Sequence, residues 1–172
     1  MTTIAFDGRF VAADRLAGSH DMRYQRPVVK LLTDPRQPDV LFGLTGSFGY
    51  LQPMIDWFLA GAEPAAMPAY KDPCDSCLLV FCRSGQLSTY RLSMPYPENI
   101  GEPDAWGTGA DFAIGAMDAG RCARDAVIIA SRRDKHSGNG VLTYDLHTMS
   151  WIAENADTAR IEGYPAAADV AA

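Results

Sequence analysis

The chain lacks any apolar stretch that could cross a membrane. No run in its 172 residues approaches the roughly 18 consecutive apolar residues of a membrane-spanning helix. It also lacks an excess of basic residues, since 15 Lys and Arg stand against 21 Asp and Glu, a net charge of −6. This balance disfavours nucleic acid and anionic membranes as main partners. The N-terminus does not show the charged-then-apolar pattern of a secretory signal, so a cytoplasmic location is expected.

Cysteine and histidine are too few and too scattered to form a clear metal site. Cys74 and Cys77 make a CxxC, but a structural zinc site needs a second pair of ligands. The three histidines, His20, His136 and His147, lie far from that pair. Reduced cysteines are therefore the favoured interpretation, with a redox pair as the alternative. No cofactor is required by the sequence.

Internal repeats and a change of composition that would mark a second domain are both absent. The length is that of one domain, and 48% hydrophobic residues can build a sizeable core. We predict a single domain over residues 1–172 with its core at about 2–150. The alanine-rich tail from about 160 to 172 is expected to fray.

Predicted elements are grouped by type and do not alternate between strand and helix. This grouping favours an α+β domain with antiparallel sheets. The Asp7-Gly8 turn predicts a hairpin at the N-terminus. Residues 95–103, with their prolines, are expected to form a loop. The predicted strands are 4–6, 9–13, 28–32, 40–45, 78–82, 86–92 and 141–146, and the predicted helices are 46–60, 111–119 and 121–133.

The second residue offers a nucleophile and a base on one amino acid. Removal of Met1 would leave Thr2 as a free N-terminal threonine, and the small size of Thr2 permits that removal. Its hydroxyl could attack a carbonyl while its α-amine, with an unperturbed pKa of about 7.7–8.0, accepts the proton. The alternative is an ordinary processed terminus that begins a strand.

Several short motifs follow Thr2 in order. Asp134 is informative because it lies just beyond a predicted helix C-terminus, where the helix dipole disfavours a carboxylate and a cationic partner is wanted. Gly107-Thr108-Gly109 is not a dinucleotide loop, because the third glycine and the βαβ context are missing. The motifs are Thr2-Thr3-Ile4, Ala13-Asp14-Arg15, Val28-Val29-Lys30-Leu31, Phe42-Gly43-Leu44-Thr45-Gly46, Gly107-Thr108-Gly109 and Arg133-Asp134-Lys135-His136-Ser137-Gly138.

This ordered set resembles the proteasome-type N-terminal nucleophile (Ntn) hydrolases, the family of proteasome β subunits and the bacterial HslV peptidase. The resemblance covers residues 2–146 and departs from the family pattern at Thr108, where serine is usual. It implies a four-layer αββα sandwich of two antiparallel sheets flanked by helices. It also implies a catalytic set comprising the nucleophile Thr2, the Asp14–Lys30 pair, the Gly43 amide as oxyanion donor, and Thr108, Asp134 and Ser137 around the amine.

The resemblance further implies a substrate site, an ion site and an assembly. Substrate would contact Ala17, Gly18, Val28, Leu41 and Thr45. Backbone carbonyls of Ser131, Asp134 and Ser137 would hold a structural Na⁺ or Mg²⁺. Relatives form stacked homo-oligomeric rings that take peptides or unfolded protein, and an ATP-dependent unfoldase partner follows by analogy.

Other interpretations remain open. Asp14 could be a strand-end charge, Lys30 a lysine on an edge strand and Gly43 a packing glycine. A catalytically silent ring that retains Met1 would act as a scaffold or binding assembly. An Ntn amidohydrolase would use the same nucleophile on small amides.

Overall fold

The computed structural model describes residues 2–19, 22–23, 27–69, 76–91 and 94–152. Met1, His20, Cys74 and the tail predicted to fray therefore lie outside the described residues. None of the helices in the described part of the chain has the length and apolar character of a membrane span.

Strands and short helices alternate in blocks along the described chain. The strands are β1 (Thr3–Phe6), β2 (Phe10–Asp14), β3 (Gly18–Ser19), β4 (Met22–Arg23), β5 (Leu31–Asp34), β6 (Gln37–Thr45), β7 (Cys77–Cys82), β8 (Leu87–Arg91), β9 (Met94–Asn99), β10 (Asp104–Gly107), β11 (Val141–Asp145) and β12 (Ser150–Trp151). The α-helices are α1 (Leu51–Leu59), α2 (Ala110–Asp118) and α3 (Ala123–Arg133), and 3₁₀ turns occur at Phe48–Tyr50 and Pro64–Ala66.

Two five-stranded antiparallel sheets organise the molecule. The first, here the N-terminal sheet, has the order β10-β1-β2-β11-β12. The second, the central sheet, has the order β5-β6-β7-β8-β9. Strands β3 and β4 form a separate two-stranded pair. The predicted mixture of helices and antiparallel sheets is confirmed.

Each sheet buries both of its faces, because alternate side chains along a strand point in opposite directions. One face of each sheet contributes to a shared apolar cluster, which includes Ile4, Phe6, Val11, Leu41, Leu79 and Phe81. The other face of the N-terminal sheet packs on α2 and α3 largely through alanines, among them Ala5, Ala12, Ala113, Ala126 and Ala130. The other face of the central sheet packs larger side chains against α1, among them Phe42, Leu44, Val80, Met54 and Trp57.

The turn of the first hairpin fixes the start of α3. Asp7 Oδ1 accepts the Phe10 N–H at 2.8 Å within the turn, and Asp7 Oδ2 accepts the Ala123 N–H at 2.7 Å. A carboxylate on the first amides of a helix satisfies an otherwise unpaired donor and complements the helix dipole. The helix that leads to Asp134 is thereby tied to the strand that begins beside Thr2.

The structure corrects two sequence-based boundaries near the site. Residues 28–32 were expected to be a strand, but β5 begins at Leu31, and the Val28 N–H bonds to the Arg15 carbonyl at 2.9 Å. The predicted helix 46–60 begins as a 3₁₀ turn, and α1 starts only at Leu51, so that Pro53 lies in its first turn, where proline is tolerated.

The predicted loop over residues 95–103 is wrong. Most of it forms β9, the edge strand of the central sheet, and the next strand, β10, follows at Asp104. Pro95 and Pro97 lie on that edge, where proline can occur without removing an interior hydrogen bond. Proline occurs both in loops and in edge strands, so the proline content of this segment could not distinguish between them.

Candidate active site

Thr2 lies immediately before β1 and is 1% exposed. The glycines of the Gly107-Thr108-Gly109 segment allow the chain to approach it closely. Gly107 has φ +97°, and a Cβ there would overlap the Thr2 carbonyl. A Cβ on Gly109 would overlap Thr3 Oγ1. Close contact with Thr2 and Thr3 therefore accounts for both glycines, and nucleotide binding is not needed to explain them.

On one side of this segment, Asp14 is a fully buried carboxylate that accepts four described hydrogen bonds. Its Oδ1 accepts the Lys30 ammonium at 2.5 Å and the Thr3 N–H at 2.7 Å. Its Oδ2 accepts the N–H groups of Leu16 at 3.1 Å and Gly138 at 3.0 Å. Asp14 and Lys30 are both 0% exposed, so the pair is screened from solvent.

The shared oxygen brings the Lys30 ammonium close to the beginning of β1. Burial lowers the pKa of Lys30, and the negative charge of Asp14 opposes that shift. Paired with Asp14, the Lys30 ammonium is a buried positive charge that can stabilise a developing alkoxide. The ion pair predicted from the sequence is present, while its catalytic use stays a prediction.

On the other side, Asp134 accepts hydrogen bonds from two hydroxyls. Thr108 Oγ1 and Ser137 Oγ each donate to its Oδ2 at 2.7 Å, and the His136 N–H donates to its Oδ1 at 2.9 Å. Burial works to raise the pKa of Asp134, but these hydrogen bonds outweigh it and hold the pKa below the usual value. Asp134 is therefore ionised at neutral pH.

Thr2 and Thr3 connect this second acid to the first. Thr108 Oγ1 lies 3.5 Å from the Thr2 carbonyl oxygen, and Thr3 Oγ1 lies 2.5 Å from Ser137 Oγ. Thr108 donates its single proton to Asp134 and not to the Thr2 carbonyl, because its oxygen lies only 2.7 Å from Asp134 Oδ2. The structure thus gathers five side chains around Thr2 and Thr3, namely those of Asp14, Lys30, Thr108, Asp134 and Ser137.

Gly43 lies in the middle of the central sheet, facing Leu31 on β5 and Leu79 on β7. The Leu44 N–H donates to the Lys30 carbonyl at 3.1 Å. Because successive amides of an antiparallel strand point to opposite sides, the Gly43 N–H is directed toward β7 and into the sheet. A Cβ on Gly43 would contact Ile4 at 3.4 Å, so the glycine serves the close packing of the two sheets.

The predicted substrate residues are not equally accessible. Leu41 is 0% exposed in the cluster between the sheets, which favours a packing role over an open pocket. Ala17 and Thr45 are also buried, Gly18 lies in β3, and Val28 is half-buried. Substrate binding by these residues stays a prediction.

The predicted ion ligands lie around the end of α3. Ser131 is in its last turn, where carbonyls lack partners within the helix. The buried Ser131 Oγ has no hydrogen-bond partner among the described residues, and the Asp134 carbonyl accepts only a long bond from the Ser137 N–H at 3.2 Å. Backbone carbonyls at a helix C-terminus suit a hard cation, so these residues fit the predicted Na⁺ or Mg²⁺. No cluster of three His, Cys, Asp or Glu side chains suited to a metal occurs in the described residues.

Two buried polar side chains, Thr3 and Arg15, were not among the predicted site residues. Thr3 belongs to one of the predicted motifs, and its position directly after Thr2 is the signal that could have identified it. Arg15 is 1% exposed, and none of its guanidinium nitrogens has a hydrogen-bond partner in the described structure. Burial lowers the pKa of Arg15. Nothing in the sequence pattern indicates that this arginine would be buried.

Comparison with solved structures shows that the chain has the fold of the proteasome-type Ntn hydrolases, which confirms the expected resemblance at the level of fold. No protein-family model and no curated protein matches the chain.

Two of the solved structures are of one bacterial protein. Thiobacillus denitrificans BPH, alone and in complex with epoxomicin, matches with a TM-score of 0.61 and 21% identity over 84% of this chain and 96% of that one. The eukaryotic HslV of Trypanosoma brucei matches with a TM-score of 0.60 and 17% identity over 84% of this chain and 97% of its own.

Proposed function

We propose that this chain is a threonine peptidase whose nucleophile is Thr2, exposed by removal of Met1. The observation that carries the proposal is the position of the Thr2-Thr3 segment between two different acids. The buried Asp14–Lys30 pair lies on one side, and Asp134 with its two hydroxyl donors lies on the other. The first supplies a fixed positive charge, and the second supplies a negative charge for an ammonium.

The reaction follows from these two environments. The Thr2 hydroxyl attacks the peptide carbonyl and gives its proton to its own α-amine, while Lys30 stabilises the developing negative charge. The protonated amine then passes that proton to the leaving amine, which leaves an acyl ester on Thr2. Water, deprotonated by the same amine, hydrolyses the ester and regenerates the hydroxyl.

The oxyanion donor we favour is Gly46, in place of Gly43. Gly46 follows the end of β6 and has φ +91°. By strand alternation its N–H points to the same side as that of Leu44, toward the segment that carries Lys30. Among the described residues no acceptor occupies that N–H. An amide left open beside a buried cation is what a tetrahedral oxyanion requires.

The likeness to HslV and to BPH supports a wider proposal about assembly. We infer a four-layer αββα single domain that forms stacked homo-oligomeric rings and acts on peptides or unfolded protein in the cytoplasm. The three apolar clusters support the layer order, with α1, the central sheet, the N-terminal sheet and then α2 with α3. An unfoldase would deliver substrate. Na⁺ or Mg²⁺ on the Ser131, Asp134 and Ser137 carbonyls would hold the loop that carries Asp134.

The decisive experiment combines intact mass with covalent labelling, since BPH has been solved with epoxomicin. We expect the mature protein to lack Met1, to cleave a fluorogenic peptide and to form an epoxyketone adduct on Thr2. Thr2→Ala should lower turnover by at least ~10³-fold and prevent the adduct, because the nucleophile is lost. Thr33→Ala, which removes an exposed strand threonine, should change neither.

Three outcomes would contradict the proposal. Retained Met1 with no adduct would indicate a silent ring. Cleavage of small amides without cleavage of peptides would indicate an amidohydrolase. Full peptidase activity in Thr2→Ala would place the nucleophile elsewhere.

A further inference from the structure

We propose that Thr3 is a positioning residue whose hydroxyl fixes the direction of the hydrogen-bond chain that ends on Asp134. The inference rests on the proposed function, because this chain of hydrogen bonds orients the α-amine of Thr2. Thr3 Oγ1 and Ser137 Oγ lie 2.5 Å apart, and both residues are buried, at 0% and 3% exposure. Water therefore does not compete for this contact.

The direction of the chain follows from counting protons. An ionised carboxylate only accepts hydrogen bonds, so the one proton of Ser137 must be donated to Asp134. Ser137 then has no proton left for Thr3. In the short contact between the two hydroxyls, Thr3 is the donor and Ser137 the acceptor. The chain runs from Thr3 to Ser137 to Asp134, and Thr108 donates to the same carboxylate from the other side.

The direction of these hydrogen bonds determines whether donors or acceptors face the α-amine of Thr2. Because Ser137 and Thr108 donate their protons to Asp134, the lone pairs on their oxygens can accept hydrogen bonds from the N–H groups of the amine. The lone pair on the amine nitrogen can then accept the proton of the Thr2 hydroxyl. Without the donor on Thr3, the Ser137 oxygen loses one of the two contacts that hold its orientation. Ser137 can then turn away from Asp134 and donate to that nitrogen, which would occupy the lone pair that acts as the base.

The backbone holds Thr3 rigidly in this role. Its N–H donates to Asp14 at 2.7 Å, and it faces Gly107 across the β1–β10 ladder. The missing side chain of Gly109 leaves room for the Thr3 hydroxyl. One residue thus contacts both acids, Asp14 through the backbone and Asp134 through Ser137.

The test uses Thr3→Val and Thr3→Ser in protein freed of Met1. Valine keeps the branched shape that suits a strand but has no hydroxyl, whereas serine keeps the hydroxyl. We expect labelling of Thr2 by a peptide epoxyketone to slow about three- to tenfold in Thr3→Val, the factor expected for one lost hydrogen bond. Thr3→Ser should stay within about twofold of the wild type, because the donor remains.

A second measurement separates the chemical step from substrate binding. With a fluorogenic peptide, Thr3→Val should lower kcat by about three- to tenfold and leave KM unchanged, because the lost hydrogen bond acts on the base and not on the substrate. Thr3→Ser should change neither constant. Thr143→Val is the matched control. It removes a buried strand hydroxyl that has no hydrogen-bond partner in the described structure, and it should alter neither measurement.

The positioning role requires both effects. Slower labelling with a raised KM and an unchanged kcat would mean a merely structural role and would overturn the proposal, as would a lowered kcat with unchanged labelling. Thr3→Ser behaving like Thr3→Val would overturn it too. A wild type that is neither labelled nor active would contradict the proposed function, whereas an active wild type with an equally active Thr3→Val variant would overturn the role of Thr3 alone.

Discussion

The two acids beside Thr2 are held in different ways. Asp14 is completely buried, and its partners are three backbone N–H groups and the Lys30 ammonium. Asp134 is partly exposed on a loop after α3, and two of its three partners are hydroxyls. Backbone donors cannot turn away without moving the chain, whereas hydroxyls rotate. Asp14 is therefore suited to fixing geometry, and Asp134 to exchanging hydrogen bonds with a group whose protonation changes.

The largest expected effect comes from breaking the buried pair. Lys30→Met removes the cation and leaves the Asp14 carboxylate buried without its counter-charge. Such a loss costs about 3–5 kcal/mol in unfolding free energy, and we expect peptidase activity to disappear with it. Urea unfolding measured by circular dichroism gives the first quantity.

The exposed Arg83–Asp39 pair provides the matched control. Its side chains are 54% and 63% exposed, so Arg83→Met should change unfolding little, because solvent screens the pair. Equal stability of Lys30→Met and the wild type would show that Asp14 does not depend on its cation, and the contrast between the two acids would be lost.

A smaller effect is expected where the two sides of the site meet. A methyl group at Gly109 would overlap Thr3 Oγ1 and lie 3.2 Å from Ser137 Oγ. Gly109→Ala should therefore destabilise the protein by about 1–3 kcal/mol and should slow Thr2 labelling more than that loss explains. Thermal unfolding and epoxyketone labelling on the same samples separate the two effects.

Gly115 on α2 is the control for this substitution. Its Cβ position is open, so Gly115→Ala should raise stability by up to about 1 kcal/mol through helix propensity and leave labelling unchanged. Gly109→Ala with wild-type labelling would mean that the Thr3–Ser137 contact can be displaced at no cost to the site.

Local signals in the sequence were sufficient for much of the fold. Asp7-Gly8 predicted the first hairpin because those residues adopt the turn conformation wherever they occur, and the structure pairs Phe6 with Val11 across it. The edge strand β9 was missed because Pro95 and Pro97 disfavour interior strands, and only the sheet shows that this strand is an edge.

The site was less accessible to such reasoning. Motif resemblance placed Asp14 with Lys30, but the role of Thr3 depends on Ser137, which is 134 residues away in the chain. No local pattern carries that information. The direction of the Gly43 amide likewise depends on the register between β6 and its neighbours, which a motif cannot supply.

The smallest expected effect concerns Asp134 and its dependence on pH. Its pKa in the folded protein lies below that of the unfolded chain, about 3.9. A lowered carboxylate pKa stabilises the fold at pH values above the unfolded pKa, and this contribution disappears as the pH falls through the folded pKa.

Asp134→Asn should cost about 1 kcal/mol in unfolding free energy at pH 7, because the asparagine NH₂ group replaces an acceptor oxygen and faces a hydrogen-bond donor. The difference should shrink below about pH 4. Urea midpoints from pH 7 to 3 measure it, with the exposed Asp118→Asn as control. A difference that is constant over this range would mean that the hydroxyl donors do not favour the ionised form, and Asp134 would then have no charge-dependent role beside Thr2.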